Sequence, residues 1–292
     1  MAHRLALLTA GATLVLIVFG GLVTNSGAAL AVPDWPTTFG HNMFLFPWSQ
    51  MVGGVFYEHS HRLVGAGVGL LTVALAAALW GRGGRLRVLG LIALAAVVVQ
   101  GALGGLRVVL LKDQLAIVHG VLAQAFFALV VTLALLTSAR MRAPVPPGAG
   151  AAGPLATLAV AVVYAQIVLG ALLTHEGWLV PHLVAAVAVF GLVPVTTARL
   201  RRSGDPVAAP VARALLMLLG LQLVLGVGSY VVRFSPVWVP GGQVTLLALP
   251  VAHRLVASLI LGAATILAVR TARGRAGARV GVTRAVAEGA TS

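Results

Sequence analysis

The chain has 292 residues, of which 60% are apolar and only 9% are charged. A soluble globular domain carries about 25% charged residues, and a disordered chain is poor in apolar ones. The composition excludes both classes and indicates a helical protein that crosses a membrane several times. The chain contains no cysteine, which excludes disulfides, thiolate metal ligands and cysteine nucleophiles.

Eight apolar segments of membrane-spanning length follow one another along the chain. Each has roughly 20 residues or more, enough to cross a hydrocarbon core of about 30 Å. The first could be taken for a signal peptide, but its apolar run continues to Val23 and we expect a retained helix. Turn and linker sequences rich in Gly, Pro or Arg separate several of the segments. The predicted spans are 5–25, 52–80, 87–107, 114–139, 154–174, 179–198, 209–232 and 246–270.

Basic residues are distributed unevenly between the two sides of the predicted membrane. Fifteen of the 20 lie with the two termini, and only Arg62, Arg107, Lys112, Arg233 and Arg254 lie on the opposite side. The positive-inside rule therefore predicts that both termini are cytoplasmic. The net charge of +14 mostly reports this topology, and we expect no nucleic-acid partner.

The chain divides into two similar halves. The linker 140–153 separates an N-terminal half, 1–139, from a C-terminal half, 154–271, and a tail follows at 272–292. The pattern Q-x-x-L-G occurs at 100–104, 166–170 and 222–226, in every odd-numbered span after the first. We therefore predict an all-α membrane protein of eight helices, arranged as two pseudo-symmetric four-helix bundles.

Four histidines carry the strongest chemical signal: His61, His119, His182 and His253. They lie in spans two, four, six and eight, at similar depths below the outer surface. Two imidazoles per half, on different helices at one level, could clamp a heme from both faces as axial ligands of its iron. The alternatives are histidines bonded to neighbouring helices and, less well supported without cysteines or clustered carboxylates, a zinc site.

Glu58 lies three residues before His61 and so projects from the same side of its helix. It could form an ion pair with Arg62, Arg107 or a loop residue, or it could accept a proton or stabilise a cation beside a bound substrate. Leu179 and Pro250 occupy the corresponding positions in the second half. This difference favours the reaction in the first half and electron transfer in the second.

The outer loop 26–51 contains Asp34 and Trp35. Its aromatic residues suit the membrane interface, and the loop is also long enough to cover the first half as a lid. Arg62 and Arg254 directly follow a histidine and could neutralise heme propionates. We expect His41, His59 and His175 to lie in loops or at the interface.

Several motifs together resemble the heme A synthases of the COX15/CtaA family. They are Gly20-Gly-Leu-Val-Thr24 with Ser26-Gly27, Pro33-Asp-Trp-Pro36, Glu58-x-x-His61-Arg62 and the three further histidines. The resemblance covers roughly residues 12–270. It implies an eight-helix enzyme that oxidises a methyl group of heme O to the formyl group of heme A, for terminal oxidases.

The resemblance also implies roles for individual residues. His182 and His253 would ligate the iron of a heme b cofactor, His61 and His119 would ligate or face the substrate heme O, and Glu58 would be catalytic. Arg62, Arg107, Arg254, Asp34 and Trp35 are candidate propionate or loop partners. Many family members carry a cysteine pair in the outer loop, where Val32 and Thr38 stand here.

The implied location is the cell (inner) membrane, with lipids, heme O and a heme O synthase as partners. Two other functions share the histidines. One is a cytochrome b-type electron carrier, and the other is a heme transporter or chaperone.

Overall fold

A computed structural model describes the backbone of residues 1–289 and the side chains of residues 1–275. Over residues 1–289 the chain is helical, with only an isolated bridge between Thr38 and His41 and no β-strand. Eight of the helices are long and apolar enough to cross a membrane, which confirms the predicted spans. They are α1 (Ala2–Asn25), α2 (Gly53–Trp80), α3 (Gly84–Leu110), α4 (Asp113–Thr137), α6 (Gly153–Glu176), α7 (Leu179–Arg202), α8 (Ala208–Phe234) and α9 (Gly242–Gly289).

The helices pack as two closed sets of four. In the first half each helix contacts the next, and α4 returns to α1; in the second half α6 to α9 do the same. Helices α1 and α4 of the first half also contact α9, and α4 contacts α6. The Tyr164 hydroxyl donates to the carbonyl of Val121 across this seam, 3.1 Å away. This packing is compatible with the predicted pair of four-helix bundles.

The two ends of the bundle differ in their packing. We call the end that carries residue 1, the 81–83 turn, the 138–152 connection and the 203–207 turn the linker end, and the end that carries loop 26–51 the loop end. Both large apolar clusters lie toward the linker end, around Leu75 and Leu133 in the first half and around Leu200 and Leu261 in the second. The four histidines lie beyond these clusters, toward the loop end.

The linker is more ordered than its Pro- and Gly-rich sequence predicts. It contains a 3₁₀ turn, Ala139–Arg142, and the short helix α5 (Pro147–Ala151), which packs on α9. Helix α9 continues to Gly289, through most of the predicted tail 272–292; residues 290–292 of that tail lie outside the described residues.

A buried ion pair explains why the linker is held in place. Arg270 is 0% exposed, and its Nε lies 3.0 Å from a carboxylate oxygen of Asp205, which is equally buried. The two terminal nitrogens of Arg270 donate to the carbonyls of Ala143 and Pro144 at 2.8 and 2.7 Å. One side chain of α9 therefore ties together the linker and the α7–α8 turn, and both charges have their hydrogen bonds satisfied.

Candidate functional site

The structure brings the four predicted histidines together as two facing pairs, one in each half. His61 of α2 faces His119 of α4, with ring centroids 6.3 Å apart and an angle of 76° between the rings. His182 of α7 faces His253 of α9, with centroids 6.5 Å apart and an angle of 67°. The two halves thus build the same arrangement from different helices.

Each of these histidines lies against a glycine of the preceding long helix. A methyl group at Gly20, Gly170 or Gly226 would approach the ring Cε1 of His61, His182 or His253 to 3.2, 3.2 or 3.1 Å. At Gly104 the corresponding distance to His119 is 3.5 Å. Glycine therefore lets three of the imidazoles pass close to the neighbouring backbone, whereas a Cβ at Gly104 would make an ordinary contact with His119.

The glutamines of the Q-x-x-L-G repeat contact the same histidines from one turn earlier. The Gln100 amide donates to the backbone carbonyl of His119 at 3.1 Å. Gln166 lies 3.3 Å from both ring nitrogens of His182, and Gln222 lies 3.1 Å from Nε2 of His253. The repeat thus has a physical basis, since its Gln and Gly hold one histidine of the next helix.

The fourth copy of this unit departs from the pattern. Gly20 faces His61 as the other glycines face their histidines, but Leu16 stands one turn earlier where the other helices have Gln. Phe19 also replaces the Leu of the pattern, so this copy does not match Q-x-x-L-G, although the spacing between Leu16 and Gly20 is the same. The ring of His61 has no amide partner of this kind.

The spacing of each pair fits one metal ion between two imidazoles. Two ring nitrogens that each lie about 2 Å from a metal on opposite sides put the ring centroids about 6 Å apart, because each centroid lies about 1 Å behind its nitrogen. Buried Nδ1 atoms of His61, His119 and His253 have no hydrogen-bond partner. Within the described residues no three His, Cys, Asp or Glu side chains cluster as metal ligands, so the donor sets are pairs.

Glu58 is 5% exposed and makes the ion pair with Arg62 that the sequence offered as one alternative. Its Oε1 lies 2.9 Å from a terminal nitrogen of Arg62, and its Oε2 accepts from the backbone N–H of Val32 at 3.0 Å. Both oxygens are therefore engaged one turn of helix before His61. The carboxylate joins the first histidine pair to the outer loop.

Arg62 also donates hydrogen bonds to that loop. Its guanidinium nitrogens donate to the backbone carbonyls of Val32, Asp34 and Thr37 at 3.0, 2.7 and 3.0 Å. Five hydrogen-bond donors in a planar fork make arginine suited to gathering several carbonyls. Arg62 therefore anchors the loop, and its guanidinium is engaged with the protein rather than free to bind a propionate.

Asp34 shapes the tip of the same loop. It accepts hydrogen bonds from the backbone N–H groups of Phe39 and Gly40 at 2.8 and 2.9 Å, and a further one from the Thr37 hydroxyl. Burial opposes ionisation, but these hydrogen bonds outweigh it and lower the pKa of Asp34 to about 2. The carboxylate is therefore charged at any physiological pH.

Trp35 connects the loop to α3. Its indole lies so close over Gly105 that a Cβ at that position would overlap the ring. Gly105 follows Gly104, which faces His119, so one glycine accommodates the loop and the next accommodates a histidine. The loop therefore closes against the helix that lies next to the first histidine pair.

His59 does not lie in a loop or at the interface as predicted. It belongs to α2 and is 1% exposed, with its Nδ1 3.1 Å from the Thr38 hydroxyl and its ring 5.1 Å from that of Phe46. The residues around His59 in the sequence do not predict this burial, because its partners Thr38 and Phe46 lie in the loop. Val32 and Thr38 of loop 26–51 are both 0% exposed, so the loop contributes buried side chains to this end of the bundle.

Three arginines on the loop-end side, Arg107, Arg233 and Arg254, have no carboxylate partner among the side chains of residues 1–275, where the ion pairs are Glu58–Arg62 and Asp205–Arg270. Arg107 lies one turn beyond Gly104, which faces His119, and Arg254 directly follows His253 and reaches toward Gly21 of α1. Each histidine pair therefore has an arginine close to it along the chain that no acid neutralises within the described side chains.

The fold and site define a multi-pass membrane protein with a facing pair of imidazoles in each half. The family model described as COX15-CtaA, cytochrome oxidase assembly protein, matches residues 3–180. The chain belongs to this family. The matched range contains Glu58, His61 and His119 and ends before His182.

A relative supports the same family. The heme A synthase of Shouchella clausii (strain KSM-K16) is 33% identical to this chain over 135 residues, which make up 44% of each protein. The match thus spans less than half the length of that relative.

Proposed function

We propose that this protein is a heme A synthase, which oxidises a methyl group of heme O to a formyl group within the membrane. Family membership and the name of the bacterial relative support this activity. The observation that carries the proposal is the buried Glu58 one turn before His61, beside an imidazole pair spaced for one iron. The second half has an equivalent pair without the carboxylate.

The first half would bind the substrate. His61 and His119 would ligate or face the iron of heme O, and loop 26–51 would cover the ring edge. With water as the source of the formyl oxygen, oxidation of the methyl group releases four protons and four electrons, and the electrons would pass to an outside acceptor. Glu58 is the acid nearest in sequence to the histidine pair that could accept a proton or stabilise positive charge. Arg62 holds that carboxylate in a fixed position through the 2.9 Å ion pair.

The second half would hold heme b, with His182 and His253 as its axial ligands. Bound heme b would supply one-electron oxidation and reduction. Gln166 and Gln222 contact the rings of these two histidines, whereas Gln100 reaches only the backbone of His119 and Leu16 replaces the glutamine beside His61. The second pair is therefore held more firmly, as suits a cofactor that stays while the substrate exchanges.

Arg107 and Arg254 would bind heme propionates, one at each site. A guanidinium can bind a carboxylate through two parallel hydrogen bonds, and neither arginine has an acidic partner among residues 1–275. Heme O would come from a heme O synthase in the same membrane.

Conservative substitutions at Glu58 test the proposed chemistry. Glu58→Gln keeps an oxygen that can accept from Val32 but removes the charge, so we expect heme A formation to fall at least tenfold while loop 26–51 stays closed. Glu176→Gln removes an exposed acid at the same end of the bundle and should leave the activity unchanged. If Glu58→Gln forms heme A at the normal rate, Glu58 is a loop tether and not a catalytic residue.

Mass analysis of the extracted hemes tests the two sites. Protein co-expressed with a heme O source should yield heme b and heme A. His182→Ala should lose heme b, and His61→Ala should keep heme b but lose heme A formation. Leu16→Gln should strengthen heme retention at the first pair. Protein that binds heme and never yields the formyl heme would instead be an electron carrier or a transporter.

We also propose that the protein lies in the cell (inner) membrane with both termini in the cytoplasm. The support is the charge distribution described above. Because the chain has no cysteine, single cysteines at Ser49 and Ser203 can report the two sides. A membrane-impermeant maleimide should label Ser49→Cys and not Ser203→Cys in intact cells; the reverse pattern would invert the topology.

A further inference from the structure

A basic cleft opens between α7 and α8 at the linker end, far along both helices from the histidines. Its volume is about 400 Å³, and it is lined by Ala198, Arg201, Arg202, Ala209 and Arg213. Arg201 and Arg202 are the last two residues of α7, and Arg213 lies in the second turn of α8. Three guanidinium groups from two helices therefore surround a space that a phosphate-sized group can enter.

The charge of this cleft is not balanced within the described side chains. Asp205 is the acid closest in sequence, but it is fully buried and already paired with Arg270. Its Oδ1 also accepts from the backbone N–H groups of Val207 and Ala208 at 2.8 and 3.0 Å. Among residues 1–275 no acid pairs with the three arginines, so an anion from outside can bind them without displacing a protein partner.

The walls of the cleft are fixed relative to each other. The turn between α7 and α8 is held by the Asp205 contacts and by the Ser203 hydroxyl, which donates to the carbonyl of Leu200 at 2.7 Å. Arg270 then ties this turn to α9. The arginines therefore project from a rigid support, which reduces the entropy lost when they bind a ligand.

Apolar side chains continue the same surfaces toward the middle of the membrane. Met217 lies one helical turn beyond Arg213 and is 71% exposed, and Val195 lies about one turn before Ala198 and is 48% exposed. A ligand that fills the cleft would thus meet cations at the membrane surface and apolar surface below them. A phospholipid has this order of groups, and a free phosphate ion does not.

We propose that this cleft binds the phosphate-bearing headgroup of an anionic phospholipid, whose acyl chains run along Val195 and Met217. Arginine binds phosphate oxygens through two parallel hydrogen bonds, and basic clefts between membrane helices suit such headgroups. This site is independent of the heme chemistry, since no histidine and no loop-end residue takes part in it.

The test compares lipid retention by three forms of the full-length protein. Native mass spectrometry would follow the protein in detergent after addition of phosphatidylglycerol or phosphatidylcholine. We expect the unchanged protein to retain phosphatidylglycerol in preference to phosphatidylcholine. The variant R201Q/R202Q/R213Q should bind phosphatidylglycerol roughly tenfold more weakly than the unchanged protein. The control R82Q/R85Q/R140Q removes the same charge from exposed arginines elsewhere at the linker end and should bind like the unchanged protein.

Three results would overturn the proposal. They are equal retention of phosphatidylglycerol by the cleft variant and the unchanged protein, equal loss in the control variant, and retention of phosphatidylcholine as strong as that of phosphatidylglycerol.

A competition experiment with inorganic phosphate distinguishes the lipid from the free ion. If phosphate displaces phosphatidylglycerol at millimolar concentration, the cleft is a site for the free ion and the proposal is overturned. The single variant R213Q, which changes one exposed side chain, should show a partial loss and guards against misfolding of the triple variant.

Discussion

Replacing the four glycines that face the histidines by alanine should affect the two halves in a graded way. A new methyl group would approach the ring Cε1 to 3.1 Å at Gly226 and to 3.2 Å at Gly170 and Gly20, but only to 3.5 Å at Gly104. Contacts between carbon atoms are favourable at about 3.5–4.0 Å. Three of the rings must therefore move by a few tenths of an ångström, whereas His119 can stay in place.

The size of the effect follows from the cost of such crowding. Overpacking a well-packed site costs about 1–3 kcal/mol, and about 1.4 kcal/mol corresponds to a tenfold change in affinity. If the rings ligate heme iron as proposed, a ring that is moved away from the iron weakens ligation by a free energy of this size. We expect Gly226→Ala and Gly170→Ala to weaken heme b retention at least tenfold, and Gly20→Ala to weaken substrate binding similarly. Gly104→Ala should change binding by about twofold or less.

Heme retention can be measured in purified protein by following the heme absorbance during dilution. Alternatively, heme can be removed from the protein and titrated back. Gly220→Ala is the matched control because it lies on α8 with Gly226 and an added Cβ would meet nothing within 4 Å. This control corrects for the helix-favouring effect of alanine, up to about 1 kcal/mol. If Gly104→Ala is as harmful as Gly226→Ala, or if none of the four variants loses heme, the proposed role of the glycines is wrong.

Three further predictions concern the loop and the linker end. Gly105→Ala should displace the Trp35 indole and make loop 26–51 more sensitive to protease, since the two groups cannot occupy the same space. Asp205→Asn should lower the free energy of unfolding by about 3–5 kcal/mol because it leaves the buried Arg270 without its counter-charge. The pKa of Asp34 is lowered in the folded protein, so its contribution to loop stability is complete above about pH 4 and is lost toward pH 2, which Trp35 fluorescence should follow.

Each of these predictions has its own control and contrary result. Gly101→Ala on the same helix meets no neighbour within 4 Å, so equal protease sensitivity in both variants would contradict the role given to Gly105. An unfolding transition of Asp205→Asn that matches the unchanged protein would show that the ion pair adds no stability. Trp35→Phe identifies the fluorescence that belongs to Trp35, and a change that persists in Asp34→Asn could not arise from this carboxylate.

The number of spans and the pairing of histidines could be predicted because they depend on local patterns. Apolar runs of about 20 residues report the spans, and matched depths on alternate helices place His61 with His119 and His182 with His253. The repeat Q-x-x-L-G was visible for the same reason. The role of the repeat could not be predicted, because the partner of each Gln and Gly lies on the next helix. Only the packing shows which histidine ring each of them contacts.

Apart from the Glu58–Arg62 pair, which was one of the predicted alternatives, the contacts of the charged residues could not be predicted from the sequence. Arg270 counted toward the positive-inside pattern, yet it is buried against Asp205, which lies 65 residues earlier. Arg62 was a predicted propionate partner, but it binds carbonyls of a loop 25 to 30 residues away. Such pairings depend on tertiary structure, which charge counting by side does not contain.

The chemical difference between the halves is larger than the carboxylate alone suggests. Glu58 marks the first half in the sequence, and the structure adds the loop anchored by Arg62 and the replacement of glutamine by Leu16 beside His61. All three differences fall on one histidine pair and leave the imidazole spacing the same, 6.3 Å against 6.5 Å. Because the imidazole spacing is nearly equal in both halves, the halves differ in what surrounds the rings: a fixed carboxylate and an anchored loop beside the first pair, and side-chain amides against the rings of the second.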